Sequence, residues 1–468
     1  MATVWIVTTG NSDIRITDQD GSKWSHLCKG KRGEFPDECY SSFKSLKHDD
    51  STGLYNNPAR VIGMVYGTED LNQYWDYFKF PLLDGFCQKL KAQKVKSDRI
   101  IILLTNQEAI LEDRNNPDSP YWKDTYTLQP ILKHYFTQVF SEKFANEKLE
   151  FSVLKPQQGA DGLDDWDTSL RLVKAELAKW EENKWISKSD RVIVSHQAGT
   201  PAISSAVQLT CLIRFGKKVE FLVSSELPPN KTKFLKGSSY FETLQFKKLE
   251  DLLARDDYVG VASVVQSLDL EDSVLKVKLD HLLELAKLWN AAKFDEFANR
   301  VSLVTPSRVR EWWWKGYEMA YLAVVRMKNG DPTEALFHSV RAIEGLICEW
   351  AIRKERRSDL YGQSLYDLFK LRNPESNNQP IKVVWSKLAF VRNKLFHTLR
   401  GISAEEVWDA WDESSKNGWE NRMFACLNFV TKNDRSQEFK SLKDASLMSQ
   451  VHKDLEEVIK AIANVPNS

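Results

Sequence analysis

Arg191-Val192-Ile193-Val194-Ser195-His196-Gln197-Ala198-Gly199-Thr200-Pro201-Ala202 is the stretch on which the reading of the fold turns. Arg191 to Ser195 is a β-rich apolar run with the length of a buried strand. Thr200 fits a helix N-cap, and Pro201 fits the first helical position, where its missing N–H costs nothing. A helical pattern then continues to Phe215. Only His196 to Gly199 separates strand from helix, which is the short turn of a strand–helix unit in a parallel sheet.

The same alternation extends outward on the N-terminal side. Val4 to Thr8, Arg99 to Thr105, Leu149 to Leu154 and Val219 to Ser224 read as further buried strands. Helical patterns lie at about Leu71 to Lys94, Thr125 to Asn146, Thr168 to Asn183 and Pro201 to Phe215. The expected architecture is a Rossmann-like parallel sheet with helices on both faces, interrupted by an insertion from Asp18 to Asn57. From about Tyr240 the strand signal fades. Leu249 to Ser267, Leu275 to Asn290, Phe294 to Val301, Val309 to Met327, Pro332 to Lys354, Leu365 to Leu371 and Ile381 to Leu399 all carry helical spacing. The second half is therefore expected to be a helical bundle, and the consecutive prolines of Glu226 to Lys233 suit the connector before it.

The chain has 468 residues, a length for two or three domains, with 42% apolar and 28% charged residues, the balance of a globular protein. Its 65 basic residues equal its 65 acidic ones, which argues against coating nucleic acid through bulk charge. No apolar run approaches the roughly 18 residues a membrane span needs, and the N-terminus has no secretory pattern. A cytoplasmic protein without membrane contact is expected. Its six cysteines form no C-x-x-C pair, so reduced thiols are the simpler reading. His26, Cys28, Cys39 and His48 could hold zinc, but their spacing matches no familiar finger, and an ordinary surface insertion is the reading kept. No metal or cofactor is expected.

In open parallel sheets, ligands sit beyond the carboxyl ends of the strands. Thr8-Thr9-Gly10-Asn11-Ser12-Asp13 follows the first strand, and the His196–Ala202 loop follows the fourth. The free N–H groups opening the Pro201 helix favour an anion such as a phosphate, and glycine allows close approach. Thr105-Asn106-Gln107-Glu108 adds polar groups to the same edge. Neither loop is G-x-G-x-x-G or G-x-x-x-x-G-K-[ST], so a dinucleotide or nucleoside-triphosphate enzyme is not indicated. Each loop, taken alone, would also serve as a plain turn.

In the helical half, Trp385, Leu388, Val391, Leu395 and Leu399 form an apolar stripe at helical spacing. Asn393 and His397 stack on the opposite face with Ser386 and Arg400 nearby, while Arg392 stands about 140° round from His397. Arg392 to His397 is an R-x4-H motif whose chemistry suits metal-free RNA cleavage. A 2′-hydroxyl attacks phosphorus, a histidine moves protons and an arginine stabilises phosphoryl charge. Because the two side chains diverge on one helix, a compact site is easier to build from two copies across a two-fold axis. The pattern is not specific by itself, since Arg191 to His196 repeats it along a buried strand. Residues 381–400 carry five bases and no acid, beside six acids and Lys416 in residues 401–420. Such a cationic stretch could hold a phosphate backbone or simply be a solvated face. Arg341 and Glu344, three apart on a helix, read as a structural pair, and Trp312-Trp313-Trp314 reads as packing in preference to base stacking.

In this order, the Thr9–Ser12 loop, the Gly199–Ala202 helix start and Arg392-Asn393-Lys394-Leu395-Phe396-His397 resemble the CRISPR-associated CARF–HEPN ribonucleases of type III systems, over nearly the whole chain. Ser119 to Thr125 looks like that family too. The resemblance implies residues 1–230 as a CARF ligand-sensing domain, 231–310 as a helical connector and 311–468 as a HEPN ribonuclease domain. It implies a homodimer in which a cyclic oligoadenylate, cyclic tetra-adenylate favoured, switches on single-stranded RNA cleavage in antiviral defence. Thr9, Gly10, Asn11, Ser12, Thr105, Asn106, His196, Gln197, Gly199 and Thr200 would contact the ring. Arg392, Asn393 and His397 would carry catalysis without metal. A ring-cutting activity at the same rim, and a non-catalytic sensor whose helical half binds DNA or a partner protein, stay open as alternatives.

Overall fold

The computed structural model describes residues 1–17, 21–49, 53–111, 113–225, 231–268, 273–301, 308–435 and 437–463. The chain divides into two compact units, Met1–Phe241 and Glu242–Ser468, and the division falls within the helix Gly237–Leu253.

The strands of the first unit are β1 (Thr3–Thr8), β2 (Arg99–Thr105), β3 (Leu149–Leu154), β4 (Arg191–Ser195), β5 (Val219–Ser225) and β6 (Lys231–Lys236). They form one sheet in the order β6-β5-β4-β1-β2-β3. β1 pairs in parallel with β2 (Val4 opposite Arg99) and with β4 (Thr3 opposite Arg191). The chain thus builds outward from β1 to one edge, then returns to the other side of β1. That reversal opens a crevice beyond the carboxyl ends of β1 and β4, where doubly wound sheets bind ligands.

Both faces are covered, which is why these strands read as unbroken apolar runs. Val4 and Ile6 point into a core shared with α2 (Trp166–Glu182) and α3 (Pro201–Phe215), while Trp5 and Val7 point into the opposite core with α1 (Ala59–Tyr66). The sheet departs from the all-parallel expectation at one edge. β6 runs antiparallel to β5, with Lys231 opposite Ser225, so Lys231 to Lys233 of the expected connector is strand. Residues 226–230, which hold the two prolines of that connector, lie outside the described residues.

Two long helical patterns are broken. Within Leu71 to Lys94 only Pro81–Ala92 is α-helix, because Phe78–Lys79 pairs as strand with Arg15–Ile16 and Pro81 opens the helix. Thr125 to Asn146 contains Gln129–Val139 and Glu142–Glu147, the second capped afresh by the Ser141 hydroxyl, which accepts from Phe144 N. The inserted segment is also more than a polar surface excursion. Its helices Ser22–Gly30 and Asp37–Lys44 bury Trp24, Cys28, Cys39 and Phe43 completely. Cys28 and Cys39 lie in that apolar core, and among the described residues no group of three potential metal ligands gathers.

The second unit is helical and has one continuous core running from Leu249 to Ile459. Its helices include α4 (Trp314–Lys328), α5 (Pro332–Glu355), α6 (Gly362–Arg372), α7 (Ala389–Phe396) and α8 (Lys416–Thr431). A buried carboxyl ties three segments together: Glu318 accepts from Trp289 Nε1 (2.7 Å), Ser446 Oγ (2.6 Å) and Leu447 N (2.6 Å). Burial pushes its pKa up from the ordinary carboxylate range, and these three donors offset part of that cost. Of the three tryptophans, Trp313 and Trp314 are buried in the core, and Trp312 is only half-buried. Among the described residues no helix is long and apolar enough to cross a membrane.

Candidate functional site

The crevice of the sheet unit is built by two turns whose backbones touch. A Cβ placed on Gly10 would sit 2.6 Å from Gly199 N, and Gly199 adopts φ +93°, a region that disfavours side chains. The Thr200 hydroxyl accepts from Ile203 N (3.2 Å) as the N-cap of α3 and donates to Leu163 O (2.5 Å). The start of that helix is therefore fixed from both sides.

The expected ring contacts separate into two groups. Thr9 is buried, its hydroxyl bonded to Leu103 O (2.7 Å) and to Thr125 Oγ1 (2.8 Å). Thr105 and Thr125 exchange backbone-to-hydroxyl bonds at 3.0 Å each. Asn11 Oδ1 accepts from Ala59 N at the start of α1 (2.8 Å), and Asn106 Oδ1 accepts from Arg60 Nη2 (3.0 Å). The Gln197 carboxamide clasps the backbone of Ser224, donating to its carbonyl and accepting from its N–H. These side chains shape the rim. Ser12, Gln197 and Gly199 are exposed on it, and His196 is half-buried. The His196 ring meets Ser204 Oγ at 2.7 Å and the edge of Phe221, and burial lowers its pKa, so it stands as a neutral hydrogen-bonding group at pH 7.

Two features of this rim escaped the sequence. Arg60, fully buried, lies against the rings of Tyr121 (3.7 Å) and Tyr126 (4.5 Å) and pairs with the buried Asp124 carboxylate at 2.8 Å. It also donates to Tyr121 O and Tyr126 Oη, so its charge is matched and its donors are used. An arginine inside the apolar run Ala59–Tyr66 was the available signal, since such a charge must find a partner. The second is Asp13, whose Oδ2 accepts from Gly10 N (2.9 Å). Burial raises its pKa to about 7 despite that bond and nearby Arg15.

In the helical unit a π-helical turn, Val384–Leu388, runs into α7. Such turns are common at functional sites because they shift the register of the side chains that follow. Arg392 is about a quarter exposed, and its Nη2 donates to Glu344 Oε1 (3.1 Å). Its Nε is buried and has no hydrogen-bond partner among the described residues. Tyr366 Oη donates to the same Glu344 oxygen at 2.5 Å, and burial keeps that phenol protonated. Glu344 thus braces Arg392 across the bundle. The expected Arg341–Glu344 pair is absent among the described residues, because the carboxylate turns toward α6 and α7.

Asn393 and His397 are exposed, as are Ser386 and Arg400. The helix ends at Phe396, and His397 is its C-cap, with its N–H on Asn393 O (3.2 Å) and its ring at the edge of Phe396. Leu399 is therefore off the apolar stripe and fully exposed. The chain is turning there toward the next helix, Ala404–Ala410, whose capping box joins Ser403 and Glu406. Two of the five bases in the cationic stretch pair with the acidic stretch after it: Lys387 with Asp409 and Asp412, and Arg400 with Glu406. A cavity of about 620 Å³ opens beside Arg392 and Asn393, and His397 is not among its lining residues.

No family model matches the chain, and no curated protein matches it. Among solved structures, Enterococcus italicus Csm6 bound to cyclic hexa-2′-fluoro-hexa-dAMP matches with a TM-score of 0.52 and 11% identity, covering 98% of this chain and 100% of that one. At that identity the likeness is one of fold: an N-terminal sheet unit and a C-terminal helical unit arranged along the chain as in a CARF–HEPN protein.

Proposed function

We propose that a chain with this fold is a cyclic oligoadenylate-activated, metal-independent endoribonuclease of single-stranded RNA, working as a cytoplasmic homodimer in type III CRISPR defence. The likeness in fold, along the whole chain, to a protein bound to a cyclic adenylate analogue is the observation that carries it. The rim fits such a ligand: glycine backbones at the Gly10–Gly199 contact and the N-terminus of α3 suit phosphates, at the crevice that the strand order creates.

The reaction needs no cofactor. The 2′-oxygen attacks the adjacent phosphorus and gives its proton to an imidazole. The P–O5′ bond breaks, the departing oxygen takes a proton, and a 2′,3′-cyclic phosphate and a 5′-hydroxyl result. One base and one acid are required, whereas each chain offers a single His397. Arg392 stabilises the charge on the phosphoryl oxygens, with Asn393 beside it on the exposed face. Because Arg392 is drawn inward by Glu344 while His397 stands exposed at the helix end, two chains facing each other supply the complete set.

Cleavage of labelled RNA, measured with and without cyclic tri-, tetra- and hexa-adenylate, tests this. Activation by one ring size, persistence in EDTA and loss in His397→Ala are expected. Equal rates with and without every ring would refute the sensing step. Incubating the ring with His397→Ala and finding linear product would assign a second activity to the rim.

A further inference from the structure

The cavity of about 620 Å³ in the helical unit lies among α4, α5, α6 and α7 and shares Arg392 and Asn393 with the proposed cleavage site. Its volume is in the range of small-ligand sites, roughly 300–1,000 Å³. Its walls combine two kinds of surface. Trp312 and Tyr361 bring aromatic rings to its lining, Trp312 half-buried where its two neighbours are sunk in the core, and Tyr361 71% exposed. Arg341 and Glu349 are exposed, and among the described residues neither makes an ion pair or a side-chain hydrogen bond. Lys315, by contrast, is already paired with Asp295 at 2.5 Å.

We propose that this cavity holds one nucleotide of single-stranded RNA, next to the phosphate that Arg392 engages. A purely apolar ligand would leave Arg341 and Glu349 desolvated without partners. A duplex would keep its base faces stacked and out of reach of Trp312 and Tyr361. A nucleotide from a single strand matches each element. Its base stacks on the aromatic walls, its edge meets the Asn393 carboxamide and the Glu349 carboxylate, and the neighbouring phosphate pairs with Arg341. The inference rests on Arg392 being the phosphate-binding residue of the cleavage site, and it adds a subsite where the enzyme distinguishes bases.

The test separates the subsite from the chemistry. A fluorescein-labelled 2′-O-methyl RNA oligonucleotide lacks the attacking hydroxyl and so reports binding alone. It is titrated into full-length protein by anisotropy, with cyclic tri-, tetra- and hexa-adenylate present. Both Tyr361 and Arg341 are exposed, so Tyr361→Ala and Arg341→Ala leave the core intact. Tyr361→Ala is expected to weaken binding about tenfold. Arg341→Ala is expected to weaken it and lower the salt slope by about one. Affinities equal to wild type in both variants, or no binding by wild type, would overturn the subsite even if RNA is cleaved. Weakened binding with no cleavage of ordinary RNA would keep the subsite and reject the ribonuclease chemistry instead.

Discussion

Arg392 illustrates how a charged side chain is aimed. Glu344 takes its Nη2, and Glu344 is itself held by the buried Tyr366 hydroxyl, so the guanidinium has little freedom to swing. Such bracing matters more to rate than to binding, because a displacement of about 1 Å can cost as much as 100-fold. Glu344→Ala is expected to lower kcat by between about 10- and 100-fold with a smaller change in KM, and Glu344→Gln, which still accepts the hydrogen bond, to recover much of it. Steady-state kinetics on one RNA substrate would check the split. A change confined to KM would mean that Glu344 acts on substrate affinity alone. The R-x4-H spacing was visible in the sequence; its brace, 48 positions away, was not.

At the scale of elements, the rim depends on two turns touching without side chains between them. Gly199→Ala would force φ +93° on a residue with a Cβ, a strain of about 1–3 kcal/mol, and Gly10→Ala would drive a Cβ into Gly199 N. Both variants should lose ring binding in calorimetry while retaining the helical content of the wild type in circular dichroism; unchanged affinity would remove the turns from the site. Beneath the rim, α1 carries Arg60 into its buried pair with Asp124. Arg60→Met leaves that carboxylate unmatched, and a loss of about 3–5 kcal/mol in denaturant unfolding is expected. The N-cap Thr200 and Pro201 were legible because capping is local chemistry. The broken patterns at Leu71 to Lys94 and Thr125 to Asn146 were not, because strand pairing and a second cap intervene within an apolar periodicity that is otherwise helical.

For the whole molecule, one buried group in each unit, Asp13 in the first and His338 in the second, should contribute to stability with opposite dependence on pH. In Met1–Phe241, the folded pKa of Asp13 is about 7 against an unfolded 3.8, so its contribution to stability is complete below about 3.8 and is lost as pH rises through about 7. In Glu242–Ser468, burial, reinforced by Arg326 and Arg341, depresses His338 to about 4 from 6.5. Its contribution is present above 6.5 and is lost as pH falls through about 4. Hydrogen exchange followed unit by unit, corrected for intrinsic rates, should show the sheet unit opening more readily at pH 8.5 than at pH 6 (roughly 1.5 units above and one below the Asp13 pKa). In the helical unit the His338 contribution, read as the difference between wild type and His338→Gln, should be smaller at pH 4 (roughly two and a half units below the unfolded histidine value) than at pH 6. Asp13→Asn and His338→Gln should each flatten only the profile of their own unit, and a shared profile would contradict the assignment.

The sequence by itself determined what local chemistry determines. The period of apolar residues placed five parallel strands, and capping and glycine preferences marked the turns after β1 and β4. The helical spacing around Arg392 exposed Asn393 and His397. The tertiary structure alone decided the strand order that puts the crevice between β1 and β4, and the antiparallel turn of β6. It also decided that Thr9 and Thr105 are sealed beneath the rim by Thr125, and that Arg60 and Arg392 meet Asp124 and Glu344. These pairings join residues tens of positions apart. Propensity and periodicity describe what a segment can form, whereas the choice among distant partners is made by burial, which leaves a charge or a hydroxyl only those groups that the packed core brings within reach.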